Sequence, residues 1–328
     1  MAMREDILTR AKALLADGTV ASVLGWKKGE FATDPAPAFF TTPEELDASF
    51  VYDHFCGANL SLHLRGRKAS DGKVLALLKP DDSYSFNQML GENRVERDAV
   101  YILGIPDIGM LDPEKVRKAG IKGLKGVTQK GDQFVFDTAQ GEKAIPAKDV
   151  LLEKSLARKG DKHIVFDELL VEPDGAEGEN PYRFAGVEEL EAMSPDERFA
   201  FWQRELSHCI RCNACRNACP VCGCVKCVFD NPASTIAGKA NAEEFEDKMF
   251  HIIRAFHVAG RCTDCGECSR ACPQSIPLHL LNRKFIKDIN RIYGPFQSGE
   301  NAEGISPLTE YKTGDIEPGE VFSYGGGN

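Results

Sequence analysis

The sequence predicts an α/β N-terminal domain followed by a mainly helical C-terminal domain built around metal. Three observations carry this. Eleven of the 12 cysteines lie between Cys209 and Cys272, leaving only Cys56 outside. Up to about residue 190, short apolar runs alternate with helical or turn-rich stretches, the order that a parallel α/β sheet requires. Beyond that point apolar residues recur at helical spacing.

In chain order, the first element is an amphipathic helix with Ile7, Leu8, Ala11, Leu14 and Leu15 on one face and Gly18 as its stop. Thr19–Leu24, Lys73–Leu78 and Ala99–Leu103 read as buried strands. Gln133–Phe136 and His163–Phe166 are weaker strand candidates. Ser83–Glu96 fits a crossover helix between two of them. Glu172–Pro181 is polar and rich in turn residues, and marks a boundary or surface loop.

Ser194, Pro195 and Glu197 then compose a helix start: a cap, a proline at the first helical position and a capping box. That helix carries Phe199, Phe201 and Trp202 into the cysteine-rich segment. Asn241–Ala259 shows a helix face of Phe245, Met249, Ile252, Ile253 and Phe256, and Leu278, Leu281, Phe285, Ile289 and Ile292 show another. The expected divisions are 1–190, 191–293 and a tail, 294–328, extended and ordered only against a partner or the body of the protein.

The formal charge of −10 argues against a nucleic-acid or anionic-membrane surface, which needs a basic field. No stretch approaches the roughly 18 apolar residues of a membrane span. The N-terminus is charged from Arg4 and has no secretory h-region. A cytoplasmic location is expected, where cysteines serve metal sooner than disulfides.

Two runs carry the chemistry. The first is Cys209-Ile-Arg-Cys212-Asn-Ala-Cys215-Arg-Asn-Ala-Cys219-Pro220; the second is Cys262-Thr-Asp-Cys265-Gly-Glu-Cys268-Ser-Arg-Ala-Cys272-Pro273. Two-residue gaps wrap the chain around three corners of a cubane, and in two-cluster ferredoxins the fourth cysteine ligates the other cluster. The expected sets are therefore Cys209, Cys212, Cys215 and Cys272 for one 4Fe–4S cluster, and Cys219, Cys262, Cys265 and Cys268 for the other. Zinc also favours paired cysteines, but does not need three at this spacing with a fourth before proline, written twice. Eight thiolates for two clusters leave no open iron, so these sites conduct electrons and no catalytic residue is assigned.

Cys222, Cys224 and Cys227 follow the first run closely. They suggest a third iron–sulfur or zinc site completed by Cys56 or by a partner, or else a set of buried thiols; for Cys56 itself a buried structural thiol is expected. No histidine is needed as a ligand, and His251 or His257 could donate a hydrogen bond. Arg211, Arg216, Arg254, Arg261 and Arg270 crowd the segment, either raising the potential of a cluster or forming a solvated or docking face.

The long segment between the runs includes one of the two helix faces, and Ile276-Pro277-Leu278 leads into the other. Over roughly 195–293 this resembles the α-helical ferredoxin domain of heterodisulfide reductase small subunits and fumarate reductase iron–sulfur subunits. Lys79-Pro80-Asp81-Asp82-Ser83 and Ile102-Leu-Gly104-Ile-Pro-Asp107-Ile-Gly109-Met110 resemble, in degenerate form, segments of the β-subunit family of deazaflavin-reducing hydrogenases and formate dehydrogenases. In that pattern cysteines stand where this chain has Asp81 and Asp107. A thiol-based centre is not expected there, although two carboxylates could ligate a hard cation. No G-x-G-x-x-G is present, so a dinucleotide site, and with it a flavin, is not supported by the sequence.

The resemblance implies an iron–sulfur electron-transfer subunit, itself non-catalytic, of an anaerobic hydrogenase, formate dehydrogenase or heterodisulfide-reductase-linked complex. Its partners would be flavoprotein or metal-containing catalytic subunits. The alternative is a flavin-dependent subunit that reduces a soluble carrier, deazaflavin or nicotinamide. An N-terminal domain that has become an assembly platform is the third reading.

Overall fold

A computed structural model describes residues 2–172, 180–231, 244–310 and 313. The chain has an α/β region with a mixed sheet and a C-terminal region of helices. The N-terminal sheet begins with strands β1 (Ser22–Lys27), β2 (Ala36–Phe40), β3 (Phe50–Val51), β4 (Val74–Leu78) and β5 (Val100–Gly104). Strands β1, β4 and β5 run parallel, with Leu75 beside Val23 on one side and Tyr101 on the other. All five residues of β4 are buried, as a central parallel strand covered on both faces requires. Strands β2 and β3 pair antiparallel with β1, so the sheet is mixed and not wholly parallel. The first strand starts three residues later than Thr19, because Gly18 and Thr19 close the N-terminal helix with a turn.

β6 (Leu124–Lys130), β7 (Gln133–Thr138) and β8 (Gly141–Pro146) form a separate antiparallel sheet. Its inner face, Phe134, Phe136 and Ile145, packs with Phe55, Leu111 and Val150. Gln133–Phe136 is thus a strand, but outside the parallel sheet. β9 (Glu168–Leu169) returns to the edge of β5. His163–Phe166 is not a strand. His163 Nε2 stands 3.0 Å from the Leu78 carbonyl and Ile164 N–H donates to Ser83 Oγ at 3.0 Å. The segment caps the ends of β4 and its helix in place of joining a ladder.

The helix Ala2–Ala16 buries Ile7, Leu8, Ala11 and Leu14, and its Arg10 holds Glu168 at 2.8 Å. The crossover helix spans Pro80–Gly91, starting three residues earlier than the apolar pattern suggests because Pro80 occupies the first helical position. It is unusual in burying polar residues too: Asp81, Asp82, Ser83, Ser85 and Asn87 are all inaccessible. An amphipathic crossover helix leaves such residues to water. Here Lys79, Lys154 and Lys159 pair with the two aspartates, Ile164 N–H donates to Ser83, and the C-terminal region meets Ser85 through Thr263 and Asn87 through Gly299.

That region uses the helices Pro195–Ser207, Glu244–Val258 and Leu278–Tyr293. The first starts with the expected capping box, Glu197 N–H donating to Ser194 Oγ and Ser194 N–H to the Glu197 carboxylate. The second packs Phe250 on Phe229, ring centroids 4.6 Å apart; Phe245 lies outside the described side chains. The helix Ala185–Ala192 is tied to the last by Lys284 and Lys287 on Glu191, at 2.8 and 2.7 Å. Part of the predicted tail is packed on the body: Asn87 Nδ2 donates to the Gly299 carbonyl at 2.9 Å. Among the described residues no helix is long and apolar enough to cross a membrane.

Leu77 sits fully buried in the central strand. Leu77→Ala is expected to cost about 2–5 kcal/mol, read from anaerobic urea unfolding followed by circular dichroism.

Candidate metal centre

The two cysteine runs adopt the same backbone. Arg211 (φ 53°) and Asn213 (φ 62°) flank Cys212, while Asp264 (φ 59°) and Gly266 (φ 69°) flank Cys265. Left-handed residues alternating with ordinary ones turn successive N–H groups toward one concave point, an arrangement that binds anions and iron–sulfur groups. Glycine is required at 266: a Cβ there would stand 2.9 Å from that of Lys154. Asparagine, which tolerates the left-handed region, serves at 213. A four-residue helix follows in each run, Ala214–Asn217 and Glu267–Arg270, and the fourth cysteine with its proline comes directly after.

Cys209, Cys212, Cys215 and Cys272 line one cavity, so the last cysteine of the second run faces the first three of the first. Its other walls include Phe250, Ile276 and Leu278, which are apolar. Arg211 N–H points to Cys209 Sγ at 3.4 Å and His251 Nε2 stands 3.2 Å from the same sulfur. Burial, then Arg254 and Arg211, pushes His251 down to about 3, so it is neutral at physiological pH.

In the second set Cys219, Cys265 and Cys268 are buried and Cys262 is half-buried. Asn282 Nδ2 lies 3.6 Å from Cys268 Sγ. Burial pushes the Cys215 thiol up to about 11 and the Cys268 thiol up to about 12. Thiols held this way stay protonated in the bare chain, and bound iron is what deprotonates them. Soft thiol donors with N–H groups turned toward them, and apolar walls around the first set, fit the chemistry of 4Fe–4S clusters.

The second run is fixed by charges buried between its cysteines. Glu267 accepts from Lys154 at 2.9 Å and from Arg270 at 2.8 Å. Lys154 also lies 3.7 Å from Asp82, which pairs with Lys79 at 3.0 Å, and Lys79 in turn sits over the Trp26 ring at 4.3 Å. Glu267, Lys154, Asp82 and Lys79 are each 3% exposed or less, whereas Arg270 reaches the surface. Burial opposes ionisation of Glu267, yet Arg270 and Lys154 hold its carboxyl down to about 2. Asp264 is held by Arg283 at 2.7 Å and Arg183 at 3.1 Å. Thr263 completes the seam: its hydroxyl meets Ser85 Oγ at 2.8 Å and its carbonyl accepts from Lys159 at 2.9 Å.

The remaining candidates separate. Cys222, Cys224 and Cys227 line a cavity of their own. Cys56 does not join them. It is fully buried in the N-terminal core, its thiol 3.7 Å from the Val51 carbonyl and from Asp53, and burial raises it far above the usual thiol range. The segments bearing Asp81 and Asp107 follow the strands as expected, but the carboxylates have protein partners. Asp81 pairs with Lys159 at 3.0 Å, and Asp107 accepts from Gly109 N–H at 2.8 Å.

The arginines differ: Arg270 is exposed, whereas Arg254 and Arg261 are engaged by the protein. Arg254 is 3% exposed and donates to the Cys215 carbonyl at 3.0 Å, while Arg261 grips Glu92 at 2.5 Å. Sequence reasoning missed Lys79, Lys154 and Glu267. The available signal was a carboxylate placed between two cysteines of a run that must be buried.

Removing one partner of this network strands charge in a dry site. Lys154→Met is expected to cost about 3–5 kcal/mol, while Lys287→Ala, on an exposed pair, stays within about 1 kcal/mol. Anaerobic urea unfolding of the full chain distinguishes them; equal, small losses for both would contradict the network's role.

Residues 205–276 match the family described as 4Fe-4S dicluster domain. The F420-dependent formate dehydrogenase subunit beta of Methanocaldococcus jannaschii is 24% identical, over 84% of this chain and 87% of its own length. The F420-dependent formate dehydrogenase 1 subunit beta of Methanococcus maripaludis is also 24% identical, over 66% of this chain and 72% of its own. A chain of the F420-reducing [NiFe] hydrogenase complex of Methanosarcina barkeri matches 47% of this chain and 62% of its own length, at 13% identity and TM-score 0.37. The chain carries a 4Fe–4S dicluster domain and is similar over most of its length to these formate dehydrogenase beta subunits.

Proposed function

We propose that this chain is an electron-transfer subunit of a multi-subunit anaerobic redox complex, holding one cluster on Cys209, Cys212, Cys215 and Cys272 and another on Cys219, Cys262, Cys265 and Cys268. The observation that carries the reading is the cavity shared by three cysteines of one run and the fourth of the other. When bound, such clusters supply one-electron storage and transfer at potentials set by their surroundings. The chain's own residues orient the thiols, present N–H groups to them, and exclude water with Phe250, Ile276 and Leu278.

The two sets differ in access. Cys212 is exposed and its neighbour Ile210 is 60% exposed, whereas Cys265 and Cys268 are buried. We assign the face around Ile210 and Cys212 to contact with a redox partner. The names of the relatives point to complexes that handle formate and F420. Twelve free cysteines suit a reducing, cytoplasmic compartment.

One observation favours a flavin-dependent reading as second choice. A cavity of about 670 Å³ lies between the N-terminal region and Cys272, with Lys115, Lys118, Arg270 and His279 on its walls, within the size of small-molecule sites. Flavin released by acid from the purified chain, seen in its visible spectrum, would favour that reading.

The ligand assignment has a direct test in paired variants. Cys272→Ser and Cys209→Ser are expected to erase the same EPR signal, and Cys219→Ser and Cys262→Ser a different one, each losing about four irons. Cys272→Ser matching Cys262→Ser would mean that each run serves its own cluster, and would overturn the assignment.

A further inference from the structure

We infer that Cys222, Cys224, Cys227 and His257 form a third iron–sulfur site, for a 4Fe–4S cluster with three thiolates and one imidazole. After Pro220 the chain is pinned at two buried apolar residues, Val221 and Phe229. The segment between them bows outward, and its three cysteines line a cavity of about 350 Å³ against the helix Glu244–Val258. His257 on that helix lines the same cavity, its ring 6.2 Å from that of Phe229.

The charge of the cavity asks for an anion. Four guanidinium groups border it. Arg216 is paired with Asp230 at 2.9 Å and Arg261 with Glu92 at 2.5 Å. The other two are engaged differently: Arg65 donates to the carbonyls of Cys219, Pro220 and Cys222, and Arg254 to that of Cys215. The buried Nε of Arg65 and of Arg254 has no hydrogen-bond partner among the described residues. A buried cation, Arg254, and a half-buried one, Arg65, spending their N–H groups on carbonyls are costly without a compensating charge. A cluster bound by three thiolates is negatively charged and supplies it.

The donor count fixes the ligand set. The inference rests on the proposed function in this count alone: eight cysteines belong to the two runs, and Cys56 lies in the N-terminal core. The trio then lacks a fourth thiol. Asp230 is held by Arg216, which leaves His257 as the nearby borderline donor, and imidazole is an established ligand of iron in place of thiolate. Among the described residues no three such donors stand close enough for one ion, and a cubane, with each thiolate on its own iron, does not ask them to. A tetrahedral zinc site closes down to direct ligand contact and would leave this cavity unfilled.

Position gives the site its use. The backbone N–H of Cys222 donates to the Cys219 carbonyl at 3.2 Å, so the third site adjoins the second set. At its far side Cys224 is exposed and Val225 stands fully in solvent. The arrangement adds a second point of electron exchange with a partner, separate from the face at Ile210 and Cys212.

The test uses the full chain, reconstituted anaerobically with ferrous iron and sulfide. Wild type is expected to hold about twelve irons, and Cys224→Ser about eight, with one EPR signal lost and the others unchanged. Cys224 is exposed, so its replacement leaves folding intact, which circular dichroism confirms. His257→Cys is expected to keep all the iron but to shift the g values and midpoint potential of that same signal. About eight irons in wild type, one equivalent of zinc in place of the missing iron, or Cys224→Ser with unchanged iron would overturn the third site; an unshifted signal in His257→Cys would overturn the imidazole ligand. Cys212→Ser separates the two claims: if it loses no iron, the proposed two-cluster function fails, whatever Cys224→Ser shows.

Discussion

The interaction on which the structure depends is the buried pairing of Lys154 with Glu267 and Asp82. Lys154 comes from the segment after the small antiparallel sheet, Glu267 from within the second cysteine run, and Asp82 from the crossover helix of the N-terminal sheet. Each ion loses several kcal/mol of hydration on burial, so the site is tolerable only when all three segments meet. That requirement aligns the second run against the helix Pro80–Gly91. Asp264, held by Arg283 and Arg183, and Thr263, bonded to Ser85, extend the same seam. A consequence is that the C-terminal region is not a detachable ferredoxin. Cut away, it would expose Glu267 and Thr263 without the partners that orient Cys265 and Cys268.

The two runs repeat one backbone in two environments. Their left-handed residues and four-residue helices coincide, but only the second is buried by the N-terminal region. The first is held from that side chiefly by Arg65, which grips the carbonyls at its end. Solvent exposure, hydrogen bonds and nearby charge set the potential of an iron–sulfur group. A repeat with one accessible member and one embedded member therefore carries an electrical asymmetry, and asymmetry is what a relay between unlike partners needs.

Much of this was legible from sequence because it rests on local rules. The cysteine spacing, the Ser194–Glu197 capping box and the apolar run of Val74–Leu78 each encode their own geometry. What escaped was decided between distant segments. Nothing near His163 announces that its ring will meet the Leu78 carbonyl, so the apolar run at 163–166 reads as a strand. The polar face of the Pro80–Gly91 helix reads as solvated until distant segments, Lys154 and Lys159 on one side and Thr263 and Gly299 on the other, cover it. Asp81 and Asp107, noticed as replacements for cysteine, proved to be partners of Lys159 and of a backbone N–H. Cys56 was a plausible ligand only while its place in the core was unknown.

The central claim is that the two runs exchange their last cysteines, so that neither can hold its cluster alone. Anomalous diffraction at the iron edge, from crystals grown anaerobically, tests it most directly. The account predicts one iron peak enclosed by Cys209, Cys212, Cys215 and Cys272 and another by Cys219, Cys262, Cys265 and Cys268. Peaks enclosed by the four cysteines of a single run would contradict it.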